Sequence, residues 1–148
     1  MIDVKLVGNC IEAIVDTAAQ VTVINTNVFS DYFGTKYEAQ EQVRLKCAGE
    51  NQYLFAKLYK NIPIEIGNLT ILQDLYVANI SDQMLLGLDF LLKHEVVIDL
   101  QSCSLNVLDC FIPFHTMRNA ANEKFCVSKV SVSNKICVPS KTVQTIEV

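Results

Sequence analysis

The sequence predicts a mostly β domain with one short helix near its end. Alternating apolar and polar residues recur through the first two-thirds of the chain, where β-branched residues are frequent. Turn-forming pairs separate these stretches, as at Gly8-Asn9 and Gly67-Asn68. Residues 90–94 fit a brief helix that the side chain of Asp89 caps. Together these observations favour an all-β fold class.

The predicted strands follow one another in a simple order. A first hairpin covers residues 4–15, and its turn is at Gly8-Asn9. Residues 28–34 are compatible with either a short helix or an aromatic loop. The remaining predicted strands are a single strand at 20–25, a hairpin at 41–60 that turns at 48–51, a pair at 62–66 and 69–80, and short strands at 84–86, 96–100 and 104–108.

The length of 148 residues suits one domain with an extension. We expect the domain at residues 1–112, and an extension or linker with its own β-hairpin at 113–148. Up to residue 112 the chain has 14 acidic and 7 basic residues, whereas the remainder has 2 and 5. An acidic domain argues against nucleic acid as its partner. No apolar run approaches the roughly 20 residues that cross a bilayer, so no membrane span is predicted.

The cysteine and histidine pattern does not indicate a metal site. The chain has six cysteines without a C-x-x-C pair, and neither His94 nor His115 lies at zinc-finger spacing from them. We expect the cysteines to be free thiols in a reducing compartment, which favours a cytoplasmic location. Both histidines are expected on the surface, without a chemical role.

One carboxylate raises a chemical question. In the stretch IVDTAAQVTVI, Asp16 follows an apolar strand and precedes Thr17, Ala18 and Ala19. A charged side chain is rarely placed beside a core without partners. Backbone N–H groups and a hydroxyl at such a loop can keep a carboxylate ionised. Taken alone, these residues favour a simple turn-forming aspartate.

Two further stretches give this loop a context. In MLLGLDFL, residues 84–91, two leucines precede Gly87 and a predicted helix. Between the Asp16 stretch and this one, LKCAGENQYLF has the character of a hairpin. The three stretches, in this order, resemble the catalytic loop, the flap and the hydrophobic-hydrophobic-glycine element of a retropepsin-like aspartic protease from an LTR retrotransposon. The resemblance covers roughly residues 3–110. It implies a single-lobe, closed β-barrel-like fold that is active as a C2 homodimer.

The resemblance also implies roles for individual residues. Asp16 would be catalytic, and because the chain has one such loop, the second carboxylate would come from a second copy. Thr17 would join the two loops across the dimer axis, and Ala18 and Ala19 would line the loop. The substrate-binding flap would comprise Cys47, Ala48, Gly49, Glu50 and Asn51, and the structural support of the site would comprise Leu85, Leu86 and Gly87.

The implied activity is endoproteolysis of the retroelement polyprotein that encodes the enzyme. Its partners would be a second copy of the chain and an extended peptide substrate, with no nucleic acid and no membrane. No metal or organic cofactor is needed by such an enzyme. Its location would be intracellular, in the cytoplasm or within virus-like particles.

One departure from the family pattern keeps alternatives open. Ala18 stands where the family usually has glycine. Alanine keeps the backbone N–H, and its methyl group is tolerated if φ is negative. The sequence is therefore compatible with an active homodimeric endopeptidase, with a catalytically weak or inactive dimerisation or binding module, and with an unrelated all-β domain in which Asp16 is a turn residue.

Overall fold

The computed structural model describes residues 1–47 and 49–115, and the backbone of residues 146–147. Its elements in chain order are β1 (Ile2–Leu6), β2 (Asn9–Val15), β3 (Val23–Asn25), α1 (Thr26–Phe33), β4 (Glu41–Lys46), β5 (Tyr53–Ile66), β6 (Leu69–Ala78), β7 (Met84–Leu86), α2 (Leu88–Lys93), β8 (Val97–Asp99), β9 (Ser104–Val107), β10 (Cys110–Pro113) and β11 (Ile146–Glu147). The mostly β architecture is thus confirmed.

Six strands close into a barrel. Their order is β1-β2-β7-β3-β6-β5, and the ring closes where Lys5 of β1 pairs with Glu65 of β5. Strands β4 and β11 extend the sheet outward from β5. Strands β10, β9 and β8 form a second, antiparallel sheet. Closure leaves the six barrel strands without free edges and directs their alternate apolar side chains into one core.

The first hairpin forms as the sequence predicts. Ile2, Val4 and Leu6 of β1 are buried, and the residues between them are exposed. The turn contains Gly8 with a φ of 81°, a left-handed conformation that glycine adopts without strain. Strand β2 then runs into the barrel, where its last three residues are all buried.

The segment for which the sequence was compatible with either a helix or a loop forms helix α1. Asn25 caps α1, because its side-chain oxygen accepts hydrogen bonds from the backbone N–H groups of Asn27 (2.8 Å) and Val28 (3.2 Å). Phe29 and Phe33 of this helix are buried, one turn apart, and their rings are 5.0 Å apart. Aromatic packing on a capped turn therefore decides between helix and loop.

The second helix differs from the sequence-based expectation. It begins at Leu88 rather than Phe90, and Gly87, not Asp89, is its N-cap. The backbone N–H groups of Leu88 and Asp89 donate to the carbonyls of Ala19 (2.8 Å) and Gln20 (3.2 Å). A neighbouring loop thus accepts hydrogen bonds from the first turn, and the Asp89 carboxylate takes a different role, described below.

Strand β5 is longer than expected. It continues for 14 residues through the predicted break, with an irregularity in its pairing to β6 between Tyr59 and Ile62. Asn61 lies at this point with a φ of 55°. A bulge bends the strand without ending it, so one strand serves both the barrel and the β4–β5 hairpin.

The end of the domain contacts its beginning. Strand β10 pairs with β9, and beyond it the backbones of Met1 and His115 form two hydrogen bonds of 2.8 Å. The side chain of His115 is also 2.9 Å from an oxygen of Asp3. The hairpin predicted for the extension lies outside the described residues, apart from the backbone of β11, and the division at residue 112 stays a prediction.

The expectation about the cysteines is wrong at one position. Cys10, Cys47 and Cys110 are free thiols, but Cys103 is disulfide-bonded. The predicted cytoplasmic location therefore stays a prediction. Within the part of the chain that the structure describes, no helix has both the length and the apolar character to cross a membrane.

Candidate active site

Asp16 lies at the end of β2, where the barrel wall turns into a tight loop. Its backbone N–H donates to the carbonyl of Leu86 (3.0 Å), which continues the parallel β2–β7 pairing by one residue. The Asp16 side chain is completely buried. The N–H of Ala18 donates to its Oδ1 (2.9 Å), and the N–H of Ala19 donates to its carbonyl (3.2 Å). The Asp16 carboxylate is thus held in place by the backbone of its own loop.

The alanine in this loop meets both conditions for replacing glycine. Ala18 retains the N–H that donates to Asp16. It is not among the residues with positive φ, so its methyl group causes no left-handed strain. The neighbouring Thr17 is exposed, and Ala19 is fully buried. The loop therefore leaves Thr17 exposed and buries Asp16.

Gly87 lies against the loop's backbone. A Cβ at this position would be 2.4 Å from the carbonyl oxygen of Val21 and 3.0 Å from that of Ala19. Such distances are below van der Waals contact, and the opposing atoms are backbone rather than movable side chains. Leu85 and Leu86, which precede it in β7, are buried. The absence of a side chain at Gly87 is what allows the segments after Asp16 and after β7 to pack directly together.

A chain of polar side chains supports the loop from behind. Thr22 Oγ1 donates to Asp89 Oδ1 (2.7 Å) and accepts from the backbone N–H of Gly87 (3.2 Å). Gln73 Nε2 donates to Asp89 Oδ2 (3.3 Å), and Gln73 Oε1 lies 3.1 Å from His94 Nε2. These four side chains, from Thr22, Gln73, Asp89 and His94, are called the support network below. It links β6, α2 and the segment that follows the catalytic loop.

The support network corrects the expectation that His94 lies on the surface. His94 is only 7% exposed, and burial, followed by the charge of Lys93, lowers its pKa. Burial raises the pKa of Asp89, although hydrogen bonds from Thr22 and Phe90 oppose this shift. Asp89 is therefore not the N-cap but a half-buried acceptor, which Thr22 and Gln73 supply with donors in addition to the N–H of Phe90.

Replacing Thr22 by valine should destabilise the domain by about 1–3 kcal/mol, because the half-buried Asp89 carboxylate and the Gly87 N–H would each lose a partner. Valine has nearly the same shape, so packing is preserved. Chemical denaturation measures the loss, and Thr22→Ser, which keeps the hydroxyl, is the matched control. Equal stability of Thr22→Val and the wild type would show that the network contributes nothing.

A second carboxylate lies near Asp16. Asp82 is half-buried in the turn before β7. Burial raises its pKa, and the negative charge of Asp16 adds to the effect. Asp82 was not predicted as a site residue, because Gln83 follows it rather than the threonine and small residues that follow Asp16. In the described part of the chain, no group of three or more His, Cys, Asp and Glu side chains is arranged to hold a metal ion.

The raised pKa of Asp82 predicts that replacing this residue with a neutral one increases the stability of the folded state in a pH-dependent way. Above both its folded and unfolded pKa values, the folded state carries the charge at a penalty that the unfolded state lacks. Asp82→Asn should therefore be more stable than the wild type at neutral pH. The difference should vanish below the ordinary pKa of 3.8, where both states are protonated. Denaturation curves at several pH values test this, with Asp31→Asn on the exposed face of α1 controlling for loss of a negative charge.

The predicted flap is a turn between β4 and β5. The N–H of Cys47 donates to the carbonyl of Gln52 (2.8 Å), and the N–H of Gln52 donates to that of Gly49 (3.2 Å). Asn51 adopts a φ of 57°, and Ala48 lies outside the described residues. Burial raises the pKa of the Cys47 thiol, so it is less readily ionised than a free cysteine.

The base of this hairpin packs near the catalytic loop. Val43 and Leu45 of β4 are buried with Val21 and Val23, in a cluster that the partly buried Ile80 also contacts. Asp16, Ala18, Leu86 and Gly87 are thus brought together by direct contacts, and β4 is joined to them through apolar packing. The sequence predicted roles for Asp16, Ala18, Leu86 and Gly87, but for the support network its only signal was a threonine within a β-branched run.

Comparison with known proteins agrees with this architecture. A family model described as "gag-polyprotein putative aspartyl protease" matches residues 2–93. The retroviral protease-like domain of Ddi1 from Leishmania major superposes with a TM-score of 0.68, over 80% of this chain and 94% of that chain, at 18% sequence identity. A search of curated proteins gave no match. The predicted family and fold are therefore confirmed, and an unrelated all-β domain is excluded: the chain belongs to the gag-polyprotein aspartyl protease family and has a retropepsin-like fold.

Proposed function

We propose that this protein is an aspartic endopeptidase whose active site forms from two copies of the chain. The observation that carries the proposal is the Asp16 loop. A completely buried carboxylate receives the N–H of Ala18, and the loop is held by Leu86 and Gly87. Burying a carboxyl group is costly, and buried titratable groups cluster at functional sites, which supports a catalytic role for Asp16.

The chemistry needs two carboxylates that share one proton. Like charges about 3 Å apart cannot both ionise, so one carboxyl group stays protonated. The ionised partner removes a proton from water, which attacks the scissile carbonyl, while the protonated partner donates to the carbonyl oxygen. One chain contributes a single Asp-Thr loop of this kind. A twofold axis beside Asp16 would supply the second carboxylate.

Several other residues have proposed roles in the dimer. Thr17 is exposed in the single chain, which suits a hydroxyl that donates across the axis to the partner's loop. Ala18 and Ala19 would line the loop. The turn at residues 47–51 would close over an extended peptide, which would bind as a strand between this flap and the barrel floor. We propose the polyprotein that encodes the chain as the natural substrate.

The second candidate, a dimerisation or binding module without activity, depends on Ala18 impairing the loop. The preserved N–H contact of Ala18 and its unstrained backbone favour the active enzyme instead. Both candidates require self-association, but only the enzyme requires an intact carboxylate.

Dilution tests the proposed dimer. Peptide cleavage is followed while the enzyme concentration is lowered, with solution mass measured in parallel. Specific activity should fall steeply once the concentration passes below the dimer dissociation constant, because a monomer holds half of the carboxylate pair. Inhibition by a statine-containing peptide such as pepstatin should accompany cleavage. Constant specific activity from a strictly monomeric protein would refute the proposal.

A further inference from the structure

The outer edge of β4 is occupied by the chain's own C-terminal residues. Strand β4 pairs with β5 on one side, and it is not part of the closed barrel. On the other side it pairs with β11, in antiparallel register, with Ile146 opposite Leu45 and Glu147 opposite Arg44. An edge strand presents unpaired N–H and C=O groups, and here a segment from the far end of the chain takes them.

This edge belongs to the neighbourhood of the catalytic loop. Leu45 has no solvent exposure and packs with Val21, which follows the Asp16 loop by a few residues. Strand β4 also leads directly into the turn at residues 47–51, which we propose as the flap. A peptide that lies between the flap and the barrel floor would run along this strand. The edge that β11 covers is therefore suited to an extended backbone.

Two strands cannot use the same backbone groups of one edge. Where β11 pairs with Arg44 and Leu45, an incoming extended peptide finds the outward-facing N–H and C=O groups of this stretch already taken. In the same conformation Asp16 has no exposure, so solvent water does not contact its carboxylate. The pairing of β11 with β4 and the burial of the Asp16 carboxylate are separate observations. Both are expected of a site that has no peptide bound.

We propose that Ile146–Glu147 acts in cis as a competing strand, which occupies the flap-side edge of β4 until an extended peptide displaces it. The partner that fits this edge is an extended backbone, supplied at rest by residues 146–147 of the same chain. The proposal rests on the proposed function only for where the substrate strand lies. The strand pairing itself does not depend on catalysis.

The test removes the pairing without shortening the chain. In the double variant Ile146→Pro/Glu147→Pro, neither residue can donate a backbone hydrogen bond, whichever of them faces β4. The double variant Ile146→Val/Glu147→Gln keeps both N–H groups and is the matched control. Hydrogen exchange is measured at the amides of Arg44 and Leu45. The amide that faces β11 should exchange at least about tenfold faster in the proline variant than in the wild type. Its exchange rate in the control should equal that of the wild type.

The second measurement is the affinity for a peptide, which does not require the protein to cleave it. A non-cleavable, statine-containing peptide is titrated into each variant. The affinity of the proline variant for this peptide should be at least about threefold higher than that of the wild type and the control. The reason is that the binding-competent state is more populated when the competing strand is absent. A synthetic peptide of residues 141–148 added to the proline variant should weaken this binding competitively.

The outcomes separate this proposal from the proposed function. Unchanged exchange in the proline variant overturns the cis strand, whatever the activity. Faster exchange with unchanged peptide affinity shows that β11 pairs but does not compete, and this also overturns the proposal. Faster exchange and tighter peptide binding without cleavage by any variant support the competing strand while refuting the enzyme.

Discussion

Asp16→Asn should reduce peptide cleavage by at least about 10³-fold, because asparagine can neither remove a proton from water nor share one with its partner. The substitution is nearly isosteric, and its amide oxygen can still accept the N–H of Ala18, which lies 2.9 Å from Oδ1 in the wild type. Folding and dimer formation should therefore survive. Initial rates on an extended peptide, with solution mass at the same concentration, measure the effect.

Mixing the variant with the wild type tests whether the carboxylates come from different chains. If equal amounts exchange subunits freely, about a quarter of the dimers keep both carboxylates, so activity per wild-type chain falls to about half. Asp31→Asn, at an exposed position in α1, is the mixing control and should have no effect. Full activity of Asp16→Asn would refute the catalytic assignment, and an unaffected mixture would refute a shared site.

Gly87→Ala should lower the free energy of unfolding by about 2–3 kcal/mol, since the added methyl group overlaps backbone atoms that cannot rotate away. The new Cβ would lie 2.4 Å from the carbonyl oxygen of Val21. To make room, the segment after Asp16 must move away from β7. Displacement of catalytic groups by about 1 Å costs about 10²-fold in rate, so cleavage by the folded fraction should also fall.

The matched control for this prediction is Gly8→Ala. Gly8 has a φ of 81°, but a Cβ there meets nothing within 4 Å. Its replacement should cost only about 1 kcal/mol of left-handed strain and leave the rate unchanged. Thermal or chemical denaturation, together with rates at matched folded concentration, compares the two. Equal costs at both glycines would mean that close backbone approach at Gly87 is unimportant.

The first hairpin and the loop that carries Asp16 could be predicted from the sequence because their signals are local. Alternation in β1 and β2 is read directly from neighbouring residues, and the turn at Gly8 follows from its residue type. The Asp16 loop and Gly87 form short motifs whose meaning comes from their order along the chain. The sequence did not decide between a helix and a loop at residues 28–34, because short apolar runs suit both. The packing of Phe29 and Phe33 decided for the helix.

The support network could not be predicted in the same way. Its members come from β6, α2 and the segment after the catalytic loop, and Gln73 and His94 lie 21 positions apart. A polar side chain carries no local mark of a distant partner, so His94 was expected on the surface and Asp89 was expected to cap a helix. Only the packing of α2 against the loop brings donors to that carboxylate.

By itself, the sequence determined the mostly β class, the loop that carries Asp16 and the glycine that lets β7 approach it, since each depends on residue type and near neighbours. The tertiary structure decided the closure of the barrel, the burial of Asp16, the support network and the pairing of β11 with β4. These features depend on which distant segments compete for the same space and the same hydrogen-bonding groups, and that competition is resolved only when the chain has folded.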